Sequence, residues 1–216
     1  MKFRSVSLAG ILFVFMLSCS LSSYAEGPAS IQLPNPQKEG GKPLMAALNA
    51  RMTARTFGEG KLPMQTLSNL LWAAFGINRP DGRRTAPSAK NWQETEIYVA
   101  TADGVYLWDA KKNTLETILT KDIRAITGNQ EYVKDASVVL IYVSDYVKVN
   151  AGEMDKQILV GADTGMIAEN VYLFCASEGL ATVVRANIDI NALGKELKLR
   201  PDQKVTLDQC VGYPKK

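Results

Sequence analysis

The longest helical pattern in the chain covers residues 155–178 and is apolar on nearly every side from Gly165 to Ala176. A helix without a polar face is either the core of its domain or a subunit interface. Gly179 closes it, since glycine most easily takes the left-handed conformation past a helix end. Gly161, Ala162 and Gly165 add no bulk, so another backbone can approach there. Upstream, residues 138–143 (VVLIYV) form a continuous apolar run, which predicts a central strand buried on both faces. A doubly buried strand followed by a buried helix leaves the remaining elements the task of covering both.

Pro43 suits the first position of a helix that ends near Arg51 and carries Leu44, Ala47 and Leu48 on one face. A second helix is predicted over 64–75, with Leu67, Leu70, Leu71 and Ala74 inward and Gly76 as its stop. Residues 76–92 make a long loop holding Arg79, Arg83, Arg84 and Lys90, and loops of that length are often functional. Strands at 97–100 and 105–108 form a hairpin around Asp103-Gly104. A helix is expected after the hairpin, then the 138–143 strand, the long helix, a strand at 182–185, a helix near 189–197 and a strand at 205–211. That order predicts an α+β domain, a mixed sheet flanked by helices, over residues 42–216. Residues 26–41, rich in Pro and Gly, read as an extended arm that is free to wrap a neighbour.

The N-terminus predicts export. Lys2 and Arg4 precede an apolar run at 8–17, and Ser23-Tyr24-Ala25 offers small residues for cleavage after Ala25. The run is too short for a bilayer span, which needs about 20 residues. Met16-Leu17-Ser18-Cys19 is a poor lipidation box, which favours a cleaved signal peptide of residues 1–25 and a periplasmic product over a lipoprotein through Cys19. No stable membrane insertion is expected after cleavage. Lys and Arg number 25 against 22 Asp and Glu, and Lys2 and Arg4 leave with the signal peptide. The near-neutral remainder has no global field for nucleic acid. Cys175 and Cys210 are open to pairing in an oxidising compartment, and sequence alone does not place such a bridge.

The chain has no histidine. Ser-His-Asp and Cys-His catalysis are therefore excluded, as are histidine-bearing zinc and iron sites. Neither a GxxxxGK[ST] loop nor a GxGxxG fingerprint occurs. Catalysis then falls to carboxylates, Lys or Tyr, or a bound cofactor.

Four stretches could carry chemistry. In Arg51-Met52-Thr53-Ala54-Arg55, alternate residues of an extended chain point the same way. Arg51, Thr53 and Arg55 would present two guanidinium forks and a hydroxyl to a phosphate monoester. Alone, the stretch reads equally as a solvated basic turn. Pro87, Ser88, Asn91 and Gln93 stand among small residues in APSAKNWQ (86–93) and could meet a flat ring; alone, they read better as a self-bonded turn. The third is VVRAN (183–187), where a strand leaves the sheet, and the fourth is VGYPKK (211–216), whose lysines alone are an ordinary tail.

In this order and spacing the four resemble the FMN-binding nitroreductase family, within it a short branch similar to SagB-type dehydrogenases. The resemblance runs through LPNP (33–36), GGKPLMAALNARMTARTF (40–57), LSNLLWAAFGINRPDGRRTAPSAKNWQ (67–93), ITGNQ (126–130), NVYLFCASEGLATVVRANID (170–189) and VGYP (211–214). It implies a homodimer with FMN at each of two subunit interfaces. Arg51, Met52 (through its backbone), Thr53 and Arg55 match the family's phosphate-binding stretch. Pro87, Ser88 and Asn91 match its P-S-x-x-N loop along the flavin ring, contributed by the partner subunit. Asn129 or Gln130 matches a polar residue near the ring, Ala186 and Asn187 the turn that faces it, and Lys215, most loosely, a C-terminal basic phosphate ligand. The implied activity is an oxidoreductase exchange in two steps: a donor reduces the flavin, and a small acceptor such as a nitro compound or quinone reoxidises it. A flavin-binding module without turnover, or a SagB-like dehydrogenase acting on a modified peptide, is the alternative. Two departures stand out: Ala186-Asn187 replaces the Glu-Gly of many members, and the segment at about 145–155 is too short for the lid of larger relatives.

Overall fold

The computed structural model describes Met1 and residues 29–215. The predicted signal peptide, apart from Met1, and the Cys19 alternative lie outside the described residues. The sheet orders its strands β1 (Ser30–Gln32), β5 (Thr114–Leu119), β4 (Val105–Asp109), β3 (Thr95–Ala100), β6 (Val138–Asp145), β8 (Gln203–Pro214) and β2 (Phe57–Gly58), and β7 (Ala181–Arg185) also pairs with β8. Four helices accompany it: α1 (Leu44–Ala50), α2 (Met64–Phe75), α3 (Glu153–Glu178) and α4 (Ile190–Glu196).

The α+β class holds, with one change to the sheet. Every pairing among the described strands is antiparallel. The α3 crossover does send β6 and β7 the same way. They never pair with each other, because Cys210 of β8 faces Val139 of β6 on one side and Val183 of β7 on the other.

As predicted, every residue of β6 is buried. Alternation sends Val138, Leu140 and Tyr142 to one face, where Leu70, Leu71, Phe75, Ile167 and Val171 of α2 and α3 pack on them. Val139, Ile141 and Val143 go to the other face, against Val133, Val183 and Leu193. Each such side chain contributes about 1.5–3 kcal/mol when fully buried. Cys175 belongs to the first cluster and Cys210 to the second, so the sheet separates them and both are free thiols.

Two further expectations change. The segment after the hairpin is a third meander strand, β5, rather than a helix. Asp109 Oδ1 accepts the Lys111 and Lys112 amides at 2.8 and 3.0 Å, and Asn113 takes a φ of 54°, so the chain turns straight back. Two 3-10 turns, Arg124–Ile126 and Glu131–Asp135, then lead to β6. The N-terminal arm covers its own protomer: β1 extends the sheet beyond β5, Leu33 is 2% exposed, and the Ser68 hydroxyl donates to the Pro34 carbonyl.

The long helix is two-sided in use. Val160, Ile167, Val171 and Cys175 face the core, whereas Met154, Ile158, Gly161, Ala162 and Met166 form an exposed stripe on the other side. On α1, which packs on α3, Leu44, Met45 and Leu48 are also exposed.

Candidate functional site

The site begins where α1 ends. Arg51 gives its amide to Ala47 and then turns extended, at φ −58° and ψ 123°. The next residues run beside β7, fixed by the Ala54 amide donating to the Thr182 carbonyl at 2.9 Å. Their side chains alternate as predicted. The Arg51 guanidinium lies 5.3 Å over the Tyr172 ring, and Thr53 Oγ1 is 3.1 Å from the Tyr172 hydroxyl. Met52, 66% exposed, points elsewhere. The Tyr172 oxygen also accepts the Val184 amide at 3.0 Å. One tyrosine on α3 therefore gathers Arg51, Thr53 and the outer edge of β7.

Arg55 and Lys215 are related through the sheet register. Phe57 pairs with Pro214 in antiparallel register, so the residues just before β2 and just after β8 leave the pair at the same end. Among the described residues, Arg51, Arg55 and Lys215 form no ion pair with a carboxylate.

Arg185 differs. Its buried guanidinium pairs with Asp208, through Nε to Oδ1 at 2.8 Å and through Nη2 to Oδ2. It also donates to Thr127 Oγ1 and Gln130 Oε1, each at 2.8 Å. The charge is thus consumed internally, and its effect is to tie the 127–130 loop to the end of β7. The packing there is tight: a Cβ on Gly128 would lie 2.4 Å from Arg185 Nη1 and 3.0 Å from the Asn187 carbonyl oxygen. Ala186 and Asn187 emerge exposed beyond this anchor, as does Asn129, whereas Gln130 is half-buried and held by Arg185. At about 3.3 Å per residue, Ala186 stands roughly 7 Å past Val184.

The 76–93 loop is built differently. Arg84 is structural: it donates to Gln93 Oε1 at 2.7 Å and to the Phe75 carbonyl at 2.9 Å, and stacks on the Phe75 ring. Ser88 Oγ accepts the Gln93 amide at 3.0 Å, and Asn91 Oδ1 accepts from Gln93 Nε2 at 2.9 Å. Lys90, Asn91 and Gln93 hold φ values of 49°, 58° and 48°. Left-handed backbone is uncommon for residues other than glycine and gathers at functional sites. The Ala89 amide donates to Asp163 Oδ2 on α3 at 2.8 Å.

Asp163 and Tyr172 are nine residues apart on α3, or about 13 Å along its axis. Within one protomer, then, Arg51 and Thr53 gather on Tyr172 beside β7, Ala186 and Asn187 emerge past the end of β7 next to Gln130, and Arg55 and Lys215 flank one end of the β2–β8 pair, where Lys215 shares a cavity with Lys61, Arg124 and Lys134. Pro87, Ser88 and Asn91 form a separate group further along the helix. Sequence reasoning missed three residues here: Tyr172, which reads as one more apolar residue of its run; Asp163, an acid within an apolar helix and so a visible signal; and Glu94, at the loop exit.

The sequence profile of the Nitroreductase family matches residues 48–213. The chain belongs to the nitroreductase family of oxidoreductases. It is 29% identical, over 79% of its length and 90% of the relative's, to an inferred nitroreductase of Methanocaldococcus jannaschii. The crystal structure of an inferred nitroreductase of Ralstonia eutropha superposes with a TM-score of 0.83 at 36% identity, covering 88% of this chain and 91% of that one. The NADPH:FMN oxidoreductase of Vibrio harveyi shares the fold at a TM-score of 0.61 and 21% identity, over 80% of this chain and 69% of that one.

Proposed function

We propose that the protein is an exported, homodimeric, FMN-dependent oxidoreductase that passes electrons from a donor to a small organic acceptor, such as a nitro compound or quinone, in two separate steps. The observation that carries the reading is Arg51 beside the Thr53 hydroxyl on the Tyr172 ring, a cation with no carboxylate partner among the described residues. Guanidinium forks and a hydroxyl suit a phosphate monoester, so the donor set fits FMN. Bound there, FMN would supply two-electron chemistry that the two free thiols, Cys175 and Cys210, held apart by the sheet, are not placed to provide.

The chain's own residues bind and orient. Arg51, Thr53, Arg55, Lys215 and the Met52 backbone hold the phosphate end. The Ala186-Asn187 backbone lies along the ring, with Gln130 fixing the loop beside it. Pro87, Ser88 and Asn91 reach the ring from a second copy, which accounts for their separation from Arg51 and Thr53 within one protomer. The exposed apolar stripe of α3, with Leu44, Met45 and Leu48, supports that pairing: a second copy would cover it, and Gly161 and Ala162 allow close approach. The name of the Vibrio harveyi relative, an NADPH:FMN oxidoreductase, supports flavin use. An exported enzyme meets little NADH or NADPH, so the donor is a quinol, a redox protein or the substrate itself.

The test is the visible spectrum of the protein purified from its native compartment, beside Arg51→Ala. A flavin spectrum that weakens in the variant, with FMN as the released species, is expected. A colourless protein that takes up no added FMN would sink the reading.

A further inference from the structure

Beneath the 87–91 loop lie two acids to which the flavin reading gives no role. Glu94, where the loop enters β3, is fully buried, and Asp163 on α3 is 3% exposed. Asp163 Oδ2 accepts the Ala89 amide at 2.8 Å. Glu94 Oε1 is reached by the Thr95 hydroxyl only at 3.4 Å, and Glu94 Oε2 has no conventional donor among the described residues. The carboxyls of Glu94 and Asp163 face each other, and neither forms an ion pair among the described residues. Tyr146, after β6, also senses Glu94 and is itself shifted upward, first by burial.

Two ionised carboxylates in that setting would be desolvated and would repel each other. One proton between them turns repulsion into a short O–H···O⁻ bond. The environment is asymmetric. Burial raises both carboxyls above their ordinary range, and the facing acid raises Glu94 further. Asp163 is drawn back by the Ala89 N–H and by Glu94, so it is the better place for the charge.

We propose that Glu94 and Asp163 share one proton, with Glu94 Oε2–H donating to Asp163, and that this proton positions the 87–91 loop through the Ala89 amide. Glu94 and Asp163 are positioning residues, and the inference rests on the flavin reading only for what the loop touches. The proton also accounts for the buried Glu94 oxygen that otherwise has no donor. Because the folded chain binds this proton more tightly than the unfolded chain does, its contribution is complete below the ordinary carboxylate range and falls as pH rises through the raised value. The loop is therefore held on the acid side and loosens on the alkaline side.

The test compares the parent protein with Glu94→Gln, whose amide can donate to Asp163 without titrating. In the cofactor-free proteins at mildly acidic pH, the parent should show the infrared carbonyl stretch of a protonated carboxylic acid that the variant lacks. Amide exchange at Ala89, taken as the ratio of parent to variant, should rise with pH. In FMN titrations the parent should lose about tenfold in affinity, relative to the variant, from the acid to the alkaline side. No carboxylic band lost in Glu94→Gln, or an exchange ratio flat with pH, overturns the proposal. Should the infrared and exchange results hold while neither protein takes up FMN, the shared proton stands and the flavin reading fails.

Discussion

Tyr172→Phe isolates a single hydroxyl at the centre of the candidate site. The variant keeps the ring, and with it the packing against α3's neighbours and the platform under Arg51. It loses the oxygen that accepts the Val184 amide at 3.0 Å and meets Thr53 Oγ1 at 3.1 Å. Val184 sits in β7, where only β8 pairs with it, so its amide on the outer edge is left without a partner. An unsatisfied amide costs about 1–3 kcal/mol when fully buried, and the Val184 bond is part-buried, so about 1–2 kcal/mol applies. For a domain of this size each kcal/mol is worth roughly 2–4 °C in Tm, so a fall of about 2–8 °C is expected. Thr53→Val, which spares the Val184 bond, should cost less than about 1 kcal/mol, and the double variant should fall short of additivity by about 0.5 kcal/mol or more. Tyr172→Phe also frees Thr53 to turn away from the proposed phosphate position, which should weaken FMN binding about threefold to tenfold. Thermal melts of the cofactor-free proteins and quenching of FMN fluorescence read the two effects separately. A Tyr172→Phe protein that melts within about 1 °C of the parent would refute the reasoning, since the Val184 bond would then have contributed nothing.

Arg51→Ala should raise the Kd for FMN by about tenfold to a hundredfold, the worth of one charge-assisted contact, as measured by titration at fixed ionic strength. Ile158→Glu places a charge on the exposed stripe of α3; under the proposed pairing of two copies, light scattering should show loss of self-association, with flavin uptake falling in step. Asp208→Asn leaves the buried Arg185 guanidinium without its counter-charge and should cost about 3–5 kcal/mol in denaturant unfolding, far more than any of the surface ion pairs. Mass spectrometry of protein recovered from the periplasm should find a chain beginning after Ala25.

The parts of the fold that were legible are those where one local rule acts without competition. Residues 138–143 are apolar without a break, and they are the central strand. Leu67, Leu70, Leu71 and Ala74 recur at helical spacing, and they are buried. The segment at 114–119 was harder, because its strand identity depends on the Asp109–Asn113 turn, which only returns the chain when β4 is already there to receive it. The absence of parallel pairing was hidden for a similar reason: nothing in residues 203–214 states that they enter between two earlier strands. In the candidate site, Arg51 and Thr53 were readable from alternation, and the structure joins them on Tyr172. The role of Tyr172 was not readable, since an apolar helix can use a tyrosine purely for bulk. The internal use of Arg185 was equally hidden, because its partner Asp208 lies on another strand. The buried Glu94–Asp163 pair depends on α3 crossing beneath a loop that is some seventy residues away in sequence.

The place of β8 between β6 and β7 bears on how the chain reaches its fold. A sheet whose inner strand follows all its other strands in sequence cannot close until that strand arrives. Until residues 203–214 arrive, β6 offers one unpaired edge, β7 has no strand beside it, and β2 waits for Pro214. Pairings of such long sequence separation form slowly, because loop closure must be met before they return any stability. The nascent chain is therefore held open by its own topology, with the residues on either side of the β2–β8 pair, Arg55 and Lys215 among them, brought to one end of the sheet in the closing step.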